Sequence, residues 1–286
     1  MATLIGCDFS SRPTRRKPIV LAHGRRVGTT VGLDRLQFLD SLDAFALWLA
    51  APGEWLGGFD LPFGLPRELV AELGWPLEWE ACMRHYAALS RAQIRDRFKA
   101  FCDGRPAGAK FAHRATDRPA GSSPSMKWVH PPVAYMLHAA VPLLLAAGVH
   151  LPGLQPAGSD HQGDAGRPTR IALEAYPGLL AREVLGRRSY KSDDPAKQTL
   201  QRRMHREELV QALERGATTL GLQLRLTDAQ REALALDGSG DSLDAVVCLV
   251  QAAWASVRGW PLFGLPADMD RLEGWIVTAR AELPPA

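Results

Sequence analysis

Apolar positions along this chain fall into two periods. Short runs at residues 3–9, 18–23 and 26–33 read as three consecutive strands. The first is followed by a basic turn holding Pro13, which a central strand would not tolerate. The second and third are expected to join through a tight turn at His23-Gly24-Arg25, giving an antiparallel meander. The period then changes. Leu42, Phe45, Ala46 and Leu49 repeat at helical spacing behind a candidate N-cap, Ser41, and Pro52-Gly53 ends that helix. Trp55 to Phe59 is a further strand, arriving at Asp60.

Helical spacing resumes from Arg67 to Phe101, interrupted near Gly74-Trp75-Pro76. Residues 103–132, rich in Gly, Pro, Arg, Lys and Ser, predict an excursion over the surface. Val133 to Leu151 is apolar and about a bilayer span long. His138, Pro142 and His150 interrupt it, and a buried helix kinked or broken at Pro142 is expected instead. Residues 152–168 form a second Gly/Pro/Asp loop, expected to be disordered and to leave Asp160, His161 and Asp164 solvated. Thr169 to Glu174 is the next strand and Pro177 to Leu185 a helix. A long basic helix is expected over Lys197 to Leu220 and a short one over Asp228 to Ala235, capped by Thr227. A flexible loop from Asp237 to Asp241 precedes an apolar helix over Ser242 to Arg258. An amphipathic helix over Ala267 to Ala281 closes the chain.

This order predicts an α/β fold: a mixed sheet, three antiparallel strands then parallel ones, with helices on both faces. Length allows one large domain or two small ones. We read residues 1–286 as one domain with a mainly helical insertion at about 67–168 and a second at about 186–236. Composition changes this little: 46% hydrophobic and 23% charged residues are ordinary for a globular chain. Cys7, Cys82, Cys102 and Cys248 show no Cys-x-x-Cys spacing, which argues against a zinc knuckle or disulfide framework and for a reducing compartment. With no basic-then-apolar leader, the expected location is cytoplasmic. No phosphate-binding Gly-x-x-x-x-Gly-Lys-Ser/Thr loop, nucleophile elbow or His-x-x-x-His pattern occurs.

The candidate chemistry lies in the acids. Asp8 and Asp60 each close an apolar strand before a turn, where side chains emerge from a sheet edge. Glu174 ends a third strand. Asp241 and Asp244, three apart, share one face of a helix start, although Asp241 is equally a candidate N-cap. Carboxylates gathered without a counter-charge raise each other's pKa, and Mg²⁺ or Mn²⁺ would relieve that crowding. Taken alone, each acid has a plainer reading as a turn, cap or solvated strand end.

The set Ile5-Gly6-Cys7-Asp8, Gly58-Phe59-Asp60-Leu61-Pro62-Phe63-Gly64, Leu173-Glu174-Ala175-Tyr176-Pro177 and Asp241-Ser242-Leu243-Asp244-Ala245 resembles the domain of unknown function 429 family, from about residue 3 to 258. Arg114-Ala115-Thr116-Asp117 and Tyr190-Lys191 are similar to further segments of it. The family is regarded as predicted nucleases of ribonuclease H-like fold. The resemblance implies Asp8 as first-strand acid, Asp60 as fourth-strand acid, Glu174 as fifth-strand acid and Asp241 with Asp244 as last-helix acids. The long insert between Asp60 and Glu174 departs from a minimal core of that kind.

The expected function is metal-dependent hydrolysis of nucleic-acid phosphodiesters by water attack between two Mg²⁺ or Mn²⁺ ions. Asp8, Asp60, Glu174 and Asp244 are the candidate catalytic acids, and Asp8, Asp60, Asp241 and Asp244 the candidate ligands. A net charge of +3 does not by itself require a polyanion, but arginine and lysine are locally dense. Ser10, Arg114, Lys127 and Lys191 are the candidate substrate contacts, and Trp128 a candidate base-stacking residue beside Lys127. The expected partner is DNA or RNA, with no membrane and with a homodimer as one possible assembly. Two other functions fit the same pattern: a nucleotide-binding phosphotransferase or ATPase on an actin-like core, and a non-catalytic nucleic-acid-binding protein.

Overall fold

The structure is a computed structural model and describes residues 3–156 and 168–280. Its centre is a six-stranded mixed sheet in the order β5-β4-β1-β2-β3-β6. Strand β1 spans Thr3–Asp8, β2 Ile19–Val27, β3 Thr30–Leu39, β4 Trp55–Asp60, β5 Arg170–Ala175 and β6 Gln223–Arg225. Pairing is antiparallel for β1 with β2 and β2 with β3, and parallel for β1 with β4, β4 with β5 and β3 with β6.

The expected mixed sheet is therefore present, with two local corrections. The β2–β3 turn lies at Gly28-Thr29, not at His23-Gly24-Arg25. Gly28 has φ 58°, which a two-residue hairpin needs and an L side chain resists. His23 and Gly24 instead mark a register shift within a longer hairpin. The short strand β6 falls between the helices expected over Lys197 to Leu220 and Asp228 to Ala235, where the sequence pattern marked no element.

Among the described residues the helices are α1 Leu42–Ala50, α2 Arg67–Glu72, α3 Trp79–Ala87, α4 Arg91–Asp103, α5 Asp117–Ala120, α6 Val133–Ala146, α7 Pro177–Leu185, α8 Leu200–Glu214, α9 Asp228–Leu236 and α10 Asp241–Arg258. Ser41 caps α1 by accepting from the Ala44 N–H, and Thr227 caps α9 with a reciprocal bond from Gln230, as their positions implied. The expected helix over Lys197 to Leu220 is shortened to α8: Thr199 caps it at one end, and it stops before Gly216, whose φ is 65°. Helix α6 runs through Pro142 without a break, and no helix among the described residues is long and apolar enough to cross a membrane.

Two stretches differ more. The 103–132 segment is not a surface excursion, because Arg114, Thr116, Asp117, Ser125 and Met126 are all buried. The closing helix over 267–281 is absent among the described residues. In its place an irregular strap buries Leu272, Trp275, Ile276 and Val277, turning at Gly274 with φ 73°. Three consecutive buried side chains are incompatible with a helix that hides one face. Asp160, His161 and Asp164 lie outside the described residues.

Helix α10 packs on one face of the sheet with its backbone almost touching the strands. A Cβ on Gly6 would stand 1.9 Å from the Ala245 carbonyl oxygen, and one on Gly58 would stand 2.6 Å from that of Cys248. The opposite face carries α1, where Phe45 meets Phe9 and Phe59 at ring separations of 5.4 and 6.5 Å. All four cysteines are free and buried, consistent with their apolar settings.

Candidate metal centre

The acid cluster follows from strand parity. In β1, Gly6 faces α10, so Asp8, two residues on, faces the same way. In β4 the same holds for Gly58 and Asp60. The parallel register sets Gly6 beside Gly58 and Asp8 beside Asp60. Helix α10, lying across those glycines, presents Asp244 from its first turn. One carboxylate oxygen from each of Asp8, Asp60 and Asp244 lies within 4.8 Å of the others. Asp8 and Asp244 are buried, and Asp60 is half-buried.

The electrostatics are strained in the direction a cation would relieve. Burial, then the charges of Asp241 and Asp244, push Asp8 well above the usual carboxylate range. Burial pushes Asp60 up to about 7; Lys191 opposes this, while Asp244 and Glu174 add to it. The donor set is oxygen only, which suits Mg²⁺ or Mn²⁺. Close oxygens, the raised proton affinities of Asp8 and Asp60 and hard donors together make these residues fit such an ion.

Two lysines already lean into the cluster. Lys191 pairs with Asp244 Oδ2, and the Tyr190 hydroxyl donates to Oδ1 at 2.5 Å. Burial alone would lower the Lys191 ammonium, but Asp244, and further off Asp8 and Asp60, hold it well above the lysine range. Lys17 Nζ donates to Asp241 Oδ1 at 3.0 Å and also pairs with Asp193. Asp241 is thus buried and partnered at the cluster's edge, outside the close triad. It is not the N-cap either. That position is Gly240, at φ 78°. The capping bonds at this helix start come from Asp237, which accepts from the Ser242 and Ser239 N–H groups at 2.9 and 3.1 Å, so the expected flexible loop is pinned.

The other candidates are sorted differently. Glu174 pairs with Phe59 in the ladder and therefore points to the face away from α10. Its two oxygens accept from Arg114 Nη2 and Nη1 at 2.6 and 2.8 Å, and one also accepts from the Phe63 N–H at 2.9 Å. The triad does not include it. Arg114 makes five donor contacts, to Glu174, Asp117 and the Glu273 carbonyl. A guanidinium has five N–H groups, so Arg114 has none left for a phosphate. Arg114 thereby ties the 103–132 segment to β5 and the C-terminal strap.

Ser10, Arg114 and Lys191 line a cavity of about 560 Å³ that opens beside Asp8 and Asp60; Lys127 does not. Trp128 is half-buried and packs against Phe111 at a ring separation of 5.6 Å. Sequence reasoning gave Lys17 no special place within its basic turn, since its partners Asp193 and Asp241 are far away in the chain.

These features define an α/β protein with a three-carboxylate cluster at the ends of two adjacent parallel strands, closed by a helix start. A family model described as a protein of unknown function (DUF429) matches residues 19–261, and the chain belongs to that family. The matched range holds Asp60, Glu174, Asp241 and Asp244 and begins after β1, so Asp8 lies outside it. No curated protein and no solved structure matches the chain.

Proposed function

We propose that this protein is a metal-dependent nuclease that hydrolyses phosphodiester bonds of nucleic acid. The observation that carries this reading is the convergence of Asp8, Asp60 and Asp244 oxygens within 4.8 Å, with Asp8 and Asp60 lining a cavity. The strand placement of these acids agrees with the ribonuclease H-like arrangement that the sequence motifs resemble. Asp8, Asp60 and Asp244 would hold Mg²⁺ or Mn²⁺. Such an ion would supply Lewis acidity toward a phosphodiester and ease attack by water.

The chain's own groups account for the remainder. Lys191 and Lys17 place ammonium groups beside the acids, where they attract a phosphate and limit repulsion from the carboxylates. Tyr190 fixes one oxygen of Asp244 and so orients the carboxylate. Glu174 acts at a remove, by holding Arg114 and the Phe63 N–H against the end of β5.

The test is cleavage of a panel of labelled DNA and RNA, single-stranded and duplex, with Mn²⁺, Mg²⁺ or EDTA. Activity is expected with the metals only, and its loss by at least about a hundredfold in Asp8→Asn and Asp244→Asn. Cleavage that survives either substitution, or none on any substrate, sinks the reading. Stabilisation by Mg-ATP with no response to nucleic acid would point to the phosphotransferase alternative.

A further inference from the structure

The geometry points to an unpaired nucleotide as the substrate unit, its base held in the apolar cavity beside the acids. This inference rests on the nuclease reading for its chemistry and goes beyond it in naming the substrate's state.

The cavity lining mixes two kinds of side chain. Asp8, Asp60, Lys17 and Lys191 are acidic or cationic. Phe9, Leu61, Pro131, Pro132, Val133 and Met136 are apolar. At about 560 Å³ it lies within the range of small-ligand pockets. A concave site of this kind takes a base that is already single-stranded or has been turned out of the stack, because an enzyme cannot bring buried duplex atoms into it otherwise. Met136, half-buried on the first turn of α6, offers an adaptable thioether to a flat ring. Ser11 and Ser123 add hydroxyls to the lining that could meet a base edge.

A second concavity of about 420 Å³ continues from the first. The two share Asp60, Tyr176 and Lys191, so one acid of the cluster borders both. The second carries Arg182, Arg187 and Arg188. Arg188 is neutralised by Glu208 and Arg182 lies over the Tyr176 ring, but Arg187 is exposed with no ion-pair partner among the described residues. A strand whose base enters the apolar cavity would therefore leave with its next phosphates along Arg187. Half-buried Tyr176, lining both concavities, stands where the path bends.

Equilibrium binding separates this inference from the nuclease reading. The probes are a short fluorescent DNA or RNA single strand, the same sequence as a duplex, and an abasic strand of equal length, with Ca²⁺ replacing Mg²⁺. The single strand is expected to bind about tenfold tighter than the duplex or abasic strand. Met136→Trp, which fills the cavity, and Tyr176→Ala, which empties the junction, are each expected to remove most of that preference. Equal binding of all three probes, or preference untouched by both variants, overturns the inference. Cleavage without strand preference would leave the nuclease standing and the base pocket refuted. The expected binding pattern without cleavage in Mn²⁺ would do the reverse. No binding of any probe would refute both.

Discussion

At the scale of single residues, the buried charges divide into two groups that respond oppositely to substitution. Asp8, Asp60 and Asp244 are crowded acids, whereas Arg114, Asp117 and Glu174 neutralise one another in a dry setting. Removing one crowded charge relieves repulsion. Asp8→Asn is therefore expected to raise the melting temperature of metal-free protein while abolishing the further rise that Mn²⁺ gives wild type. Breaking the second group strands a buried charge. Arg114→Met should cost about 3–5 kcal/mol in urea unfolding, and Arg114→Lys should recover little of it because an ammonium cannot reproduce the fork. A fall below about 1 kcal/mol for Arg114→Met would contradict this account of the network.

The pH response belongs to the same residues. Asp60 is raised to about 7 when folded, above its unfolded value near 3.9. The folded chain then binds more protons than the unfolded one, so this group's contribution is fully present below about pH 4 and is lost as pH rises through about 7. Metal-free protein should lose thermal stability across that window. Mn²⁺ stabilisation should grow across it, because cation and proton compete for the same oxygens. Melting curves at pH 5, 6, 7 and 8 with EDTA or Mn²⁺ check both signs. An Mn²⁺ increment that is flat with pH would remove Asp60 from the ligand set.

At the scale of elements, α10 depends on the absence of side chains beneath it. Gly6 and Gly58 let its backbone approach so closely that Asp244 reaches the two strand-end acids. Gly6→Ala is expected to destabilise the protein by about 3 kcal/mol or more, since its neighbour is backbone and cannot repack. In the fraction that folds, Mn²⁺ should stabilise weakly, because displacing α10 separates Asp244 from Asp8. Gly32→Ala, where a Cβ would meet nothing within 4 Å, is the control and should be nearly neutral. A normal Mn²⁺ response in Gly6→Ala would show that the triad does not require this close contact.

At the scale of the whole molecule, the arginine-lined concavity adjoining the acids gives the proposed nucleic-acid contact an electrostatic signature. Affinity for a single strand should fall linearly on a log–log plot against salt. Arg187→Gln should reduce that slope by about one contact's worth, roughly 0.7, without altering the melting temperature. An unchanged slope would place the strand elsewhere. The C-terminal strap is the other global feature: the Val277 N–H donates to the Glu174 carbonyl at 2.8 Å, and Gln251 Nε2 donates to Thr278 at 2.6 Å. It thereby joins β5, α10 and the 103–132 segment around the cavity.

Much of this was legible in the linear pattern. Alternating and helical periods located the first five strands and most helices, and apolar runs ending on Asp8 and Asp60 marked the strand-end acids, because local spacing dictates which side of an element a residue occupies. The Gly28 turn, the short β6 and the closing strap were harder to read, since their conformations are set by pairing and burial against distant segments. Arg114 shows the same limit: an arginine in a polar, Gly-rich stretch has the composition of a surface contact, and only its distant partners Glu174 and Glu273 make it a buried tie. The sequence by itself determined that five acids, Asp8, Asp60, Glu174, Asp241 and Asp244, would stand at element ends. Tertiary structure decided which of them meet: parallel register aligned Asp8 with Asp60, and glycine-permitted packing brought in Asp244. One step of strand parity turned Glu174 to the other face, because neighbouring side chains on a strand must point in opposite directions.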